Sequence, residues 1–185
     1  PAIALLPNGV TTAVEGGSAG VSNFPLCHRE VVARSRVRIK CYLSAASTGM
    51  VSRKVPENFT PELFERDRIK RMFGQNPDVL LGLKIRSSKA IVGEGNARPL
   101  AAVIALAGEI GCKVTVHITD PSVGTEEIAR MLRPGDVLCH AFQGTGDTII
   151  GRHGTVKPAI RQAQQRGVVI DACNGAFNFS MAVAQ

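Results

Sequence analysis

Tryptophan is absent from this 185-residue chain, tyrosine occurs once, and aromatics make up only 4% of it. The interior must therefore be built from Val, Ile, Leu and Ala, and an apolar content of 44% is enough for a sizeable core. Scarce aromatics argue against a β-sandwich, which draws on aromatic cross-strand pairs, and favour parallel strands covered by helices. They also remove the stacking platforms that single-stranded nucleic acid needs. The net charge of +7 and pI near 9.6 then read as a solvated basic surface, because Lys and Arg are scattered along the chain. No nucleic-acid partner is expected.

The cysteines (Cys27, Cys41, Cys112, Cys139 and Cys173) form no CxxC pair and no finger-like spacing. Most lie in or beside apolar runs, where a free thiol behaves as a small hydrophobe, so a reducing, cytoplasmic setting is expected. No apolar run approaches the roughly 18 residues of a membrane span, and no signal-peptide pattern opens the sequence. No membrane partner is expected either.

What is present is a regular alternation of strand-like and helix-like stretches. Strands are expected at 9–17, 36–46, 79–86, 113–118, 136–142 and 168–172, from short β-branched or continuous apolar runs. Helices are expected at 24–35, 65–73, 100–110, 125–132 and 156–165. Pro61 suits a first helical turn, with Thr60 as its cap; Thr125 is expected to cap the helix it opens; Gly74, Gly111 and Gly167 are expected to stop theirs. Strands joined by helical crossovers give a parallel sheet with right-handed connections. An open doubly wound sheet and a closed barrel both fit that alternation. No GxGxxG or Walker loop follows the first strand, which weakens the open sheet. Glu15, Ser44, Lys84, Arg86, His117, His140, Asp171 and Asn174 recur towards the C-terminal ends of the strands, which converge on one mouth in a barrel.

Three of these residues carry the chemistry. Lys84 lies in VLLGLKIR, His117 in CKVTVHITD and His140 in GDVLCHAF. A lysine among apolar neighbours is costly without a partner. Two imidazoles arriving on the next strands at matching positions point to metal ligation. His28 and His153, in polar or glycine-rich surroundings, read as solvated. Arg86, two residues beyond Lys84, points to the same face of its strand and could hold an anionic substrate group or an inner salt bridge.

The stretches GVTTAVEGGSAGVSNF, GLKIRSSKAIVGEGNARPL, VHITDP, LRPGDVLCHAFQG and RGVVIDACNGAFNFS together resemble the amidohydrolase superfamily, in its dihydroorotase-like amidohydrolase/deacetylase branch. The resemblance covers essentially the whole sequence in order. It implies an α/β fold, an incomplete (β/α)8 TIM barrel of about six parallel β/α units that lacks the first and last strands, in a single domain over residues 1–185. It implies two divalent metal ions, Zn²⁺ foremost, bridged by a CO₂-derived carbamate on Lys84, with His117 and His140 ligating one of them. A metal-activated hydroxide would then hydrolyse an amide or ester bond. Arg86, Asn174 and Gly175 become candidate substrate-binding residues for a small molecule that bears a carboxylate.

The departures are equally specific. That family carries an HxH pair on its first strand and a catalytic, metal-binding aspartate on its eighth. This sequence has no HxH, and Asp171 falls on strand seven, so no catalytic residue is expected in this stretch. Unpaired strand edges predict a chain that is inactive and poorly soluble alone, or a homo-oligomer. Two other readings remain open: a Schiff-base enzyme with Lys84 as nucleophile and His117 and His140 as acid/base groups, and a non-catalytic module derived from a barrel.

Overall fold

The computed structural model describes residues 2–52 and 54–185. Six strands lie in one sheet in chain order: β1 (Thr12–Glu15), β2 (Arg38–Ser44), β3 (Leu80–Arg86), β4 (Lys113–His117), β5 (Val137–Cys139) and β6 (Val169–Asp171). Every neighbouring pair is parallel. The sheet forms a half-barrel, a partial TIM-barrel-like fold.

Alternation along the strands divides two environments. Leu43, Leu83, Ile85, Val114, Val116 and Leu138 are fully buried, and belong to one core with Ile69, Leu100, Val103, Leu106, Ile128 and Ile160 from the covering helices. The helix Arg98–Ile110 packs on β3 and β4. The intervening positions, including Lys84, Arg86, Thr115 and His117, face the other way and approach the C-terminal ends of the strands. Gly82 is required where it stands, because a Cβ there would lie 2.1 Å from the Lys113 carbonyl on the paired strand. No helix among the described residues is long and apolar enough to cross a membrane.

Several local expectations need correction. The stretch expected as one helix at 24–35 is a short α-helix, Phe24–Cys27, that runs into a π-helical turn, His28–Val32. Thr60 does not cap the 3₁₀ turn Pro61–Leu63 with its side chain; its own amide is instead held by the Asn58 side chain. Gly74 does not stop its helix, which runs Arg66–Gln75 and ends at Asn76, whose amide side chain donates to the Met72 carbonyl. Thr125 is the first helical residue rather than the cap of Thr125–Met131. That role passes to Gly124, and the Thr125 amide donates to the Asp147 carboxylate, 2.7 Å away. By contrast Gly111 closes Arg98–Ile110 in the left-handed conformation, as expected.

The strand expected at 136–142 is reduced to Val137–Cys139 for two reasons. The Asp136 carboxylate turns aside to accept from the Val114 and Arg133 amides. His140 takes φ 66°, which ends the strand at the residue before it.

Candidate metal centre

The sheet register brings Lys84, His117 and His140 to one end of the molecule. Lys84 on β3 pairs with Thr115, and Arg86 with His117 at the end of β4. His117 in turn pairs with Cys139, and His140 follows at once. Lys84 is 8% exposed and each histidine 9%. The two imidazole rings stand edge to face at 80°, with centroids 4.6 Å apart.

Burial sets the protonation of this group. Desolvation, reinforced by the nearby His140, Lys84 and Arg86, pushes His117 down to about 2. Desolvation also lowers His140, against a weaker opposing effect from the Cys173 carbonyl. Both rings are therefore neutral near pH 7, the state a metal requires. His140 Nδ1 lies 2.7 Å from the Cys173 carbonyl oxygen. A carbonyl only accepts, so Nδ1 carries the hydrogen, and Nε2 of the neutral ring keeps its lone pair free. A main-chain carbonyl that orients an imidazole from behind is the usual support of a metal-bound histidine.

Lys84 contributes the unusual part. Its ammonium makes no hydrogen bond or ion pair among the described residues, although the side chain is buried beside two imidazoles. Gly17 lies against it: φ there is 91°, and a Cβ would come within 2.3 Å of the Lys84 Cβ. The loop after β1 thus packs onto the lysine stem as only glycine allows. The donor set fits a metal: two uncharged imidazoles, one with its outer nitrogen bare, beside an unpaired nitrogen that carboxylation would turn into an anion.

The three expected substrate-binding residues are placed differently from one another. Arg86 bonds through one guanidinium nitrogen to Glu57, 2.7 Å away; the Glu57 side chain is 2% exposed and that of Arg86 28%. Of the two roles open to Arg86 in the sequence, the inner salt bridge is the one present. Asn174 and Gly175 lie exposed beyond β6. Gly175 needs no special backbone, and an added Cβ would meet only the Asn178 side chain at 3.7 Å. Glu15 is occupied locally, its carboxylate accepting from the Gly17 and Ser18 amides. His153 is exposed; His28 is half-buried against Phe24, with ring centroids 6.0 Å apart.

Some features escape a reading of the sequence. Nothing in PENF marks Glu57 as the buried partner of Arg86, because the two lie 29 residues apart. The Cys173 carbonyl behind His140 is a backbone group with no residue signature. Among the described residues, the non-glycine ones with positive φ, Asp120, His140 and Cys173, all fall just beyond β4, β5 and β6. Such conformations are costly and gather where a site is shaped. A cavity of about 420 Å³, lined by Glu57, Phe59, Ile91, Asn96 and Arg98 among others, does not include Lys84, His117 or His140 in its walls.

No protein-family model matches the chain. A deacetylase of Agrobacterium fabrum is 34% identical over 179 residues, which is 96% of this chain and 44% of that protein. A deacetylase of Brucella anthropi is 30% identical over 178 residues, again 96% of this chain and 44% of the relative. Among solved structures, a dihydroorotase superposes with a TM-score of 0.84 at 32% identity, covering 95% of this chain and 46% of that one. An adenine deaminase gives 0.85 at 25% identity, covering 95% and 48%. The chain spans less than half the length of the curated relatives it matches. Along that shared stretch, in sequence and in its half-barrel of parallel strands, the chain is a relative of the amidohydrolase-superfamily deacetylases.

Proposed function

We propose that this chain carries the Lys84–His117–His140 part of a metal-dependent hydrolase of amide or ester bonds, with a deacetylase-type acyl substrate. The observation that supports it is a lysine side chain, 8% exposed and without a hydrogen bond or ion pair among the described residues, set against two uncharged imidazoles at the C-terminal end of a parallel sheet, the end at which barrel enzymes assemble their chemistry. Lys84, as its CO₂-derived carbamate, would bridge a divalent metal pair, Zn²⁺ foremost, and His117 and His140 would hold one member of it. When bound, such a pair supplies Lewis-acid polarisation of an acyl carbonyl and acidification of water.

The chain's own residues perform the supporting tasks. Carboxylation of Lys84 would replace a side-chain cation with an anion beside the two imidazoles, so the lysine and the metals would stabilise one another. The Cys173 carbonyl holds the His140 ring in one tautomer with Nε2 forward. Gly17 closes over the lysine stem and limits its rotamers. Arg86, tied to Glu57 but still part exposed, would offer its remaining donors to a carboxylate on a small-molecule substrate. Asn174 and Gly175, on the exposed loop beyond β6, would meet the outer part of that substrate.

The test is metal retention. After incubation with Zn²⁺ and bicarbonate and removal of free metal, the protein is expected to retain zinc in proportion to bicarbonate. Lys84→Ala, His117→Ala and His140→Ala should each retain roughly tenfold less or lower. A short carboxylic acid should partly restore Lys84→Ala, because it supplies the missing bridging anion. Retention that is indifferent to bicarbonate and unchanged in all three variants would sink the reading. Covalent trapping of Lys84 by borohydride with a carbonyl substrate would point instead to Schiff-base chemistry.

A further inference from the structure

Beside the candidate centre lies a second group of ligand atoms that the function proposed above does not use. One thiol from Cys139, one ring nitrogen of His140 and one thiol from Cys173 all lie within 4.8 Å of one another. The sheet explains the meeting. Cys139 ends β5 and pairs with Asp171 at the end of β6. Cys173 lies two residues beyond the end of β6, with φ 35°. The Asp171 carboxylate accepts from the Cys173 amide at 3.2 Å, and the Cys173 carbonyl meets His140. The Cys173 backbone is thus held from both sides while its thiol stays exposed, and the Cys139 thiol lies buried beneath.

We propose that Cys139, Cys173 and His140 form a soft-metal site that binds a thiophilic divalent cation such as Cd²⁺ or Zn²⁺, distinct from the Lys84 centre but sharing one histidine with it. Two thiolates and one imidazole with an open fourth position are a familiar tetrahedral donor set. At Zn–S near ~2.3 Å and Zn–N near ~2.0 Å, tetrahedral ligand atoms stand about 3.5–3.8 Å apart. Atoms already within 4.8 Å need to contract by only about 1 Å. Binding releases the two thiol protons to solvent and forms two metal–sulfur bonds and one metal–nitrogen bond. No redox step is involved. Because His140 cannot serve both sites in one geometry, a cation held by the thiols competes with the hydrolytic centre. Soft metals would favour the thiols, and harder ones the carbamate.

The experiment titrates the reduced, metal-free protein with CdCl₂ alone and follows sulfur-to-cadmium charge-transfer absorption. One equivalent is expected to saturate the signal. Cys139→Ser with Cys173→Ser should abolish it. Cys173→Ser alone, an exposed position that spares the fold, should remove about half of it, since one of two thiolates is lost. His140→Ala should weaken binding by more than the roughly ten- to hundredfold cost of losing a supporting residue. Lys84→Ala and His117→Ala should leave the signal intact, which separates this site from the carbamate centre. A signal that is absent from the wild type, that survives the double cysteine change, or that vanishes with Lys84→Ala overturns the proposal.

Discussion

His117 and His140 turn burial into a dependence of stability on pH. An unfolded histidine titrates near 6.5, whereas folded His117 is held down to about 2 and His140 is also lowered. Between those values the unfolded chain binds protons that the folded chain refuses. The stabilisation is therefore complete above pH 6.5 and is lost as pH falls below it. His117 contributes a slope approaching about 1.4 kcal/mol per pH unit inside this window, and His140 adds to it in the same direction. Carboxylates with lowered values, such as Asp147, add their own losses only nearer pH 4, so the interval from pH 6.5 to 5 isolates the imidazoles. Urea unfolding of the metal-free protein should give a free energy that falls over that interval. His117→Asn should flatten the fall even if it shifts the whole curve. A wild-type free energy that is level from pH 7 to 5 would mean the rings are not buried as described.

At the scale of elements, what could be read from the sequence followed the range of the interaction. Every expected strand exists, because runs such as VLLGLKIR and CKVTVHITD carry their burial locally. The end of Arg98–Ile110 was legible from Gly111, which acts within one turn. Some misread ends are set by neighbours, as where Asn58 holds the Thr60 amide and Asn76 reaches back to Met72, and one depends on a distant partner. Thr125 gives up capping because Asp147, 22 residues away, accepts from both its amide and its hydroxyl, at 2.7 and 2.8 Å. Lys157 pairs with the same carboxylate from the segment that leads into Pro158–Gln165. One aspartate thus links two neighbouring helix starts, and no local pattern announces it. The candidate centre divides in the same way: Lys84, His117 and His140 are visible as odd residues in apolar runs, whereas Glu57, the Cys173 carbonyl and the paired thiols depend on register. Asp147→Ala is expected to destabilise the protein by about 1–2 kcal/mol, the usual cost of a lost helix cap. Thr125→Val, which removes the hydroxyl but leaves the amide contact, should cost less. Equal denaturation midpoints for wild type and Asp147→Ala would remove the cap from the account.

At the scale of the whole molecule, two opposing effects decide whether the chain stays monomeric. β1 and β6 each have one neighbour among the described residues, so each presents a row of main-chain donors and acceptors on its outer side. Val14 on β1 is 55% exposed and Val169 on β6 is 49%, so both edges are apolar as well as open. Edge-to-edge pairing between copies would satisfy the backbone and cover those valines. Against it stands the net charge of +7, which makes copies repel one another. Repulsion acts across the Debye length, about 30 Å at 0.01 M salt but about 8 Å at 0.15 M, whereas strand pairing acts at contact and is barely screened. Salt should therefore shift the balance towards association, the reverse of what an assembly held by ion pairs would do. Light scattering coupled to size exclusion is expected to show a larger mean mass at 0.15 M than at 0.01 M salt, rising with protein concentration. Val14→Lys combined with Val169→Lys should restore the monomer at the higher salt without changing the far-ultraviolet circular dichroism, because a lysine beside a pairing edge would be desolvated by the incoming strand. A mass that falls with added salt, or that the two lysines leave unchanged, would place the contact somewhere other than the sheet edges.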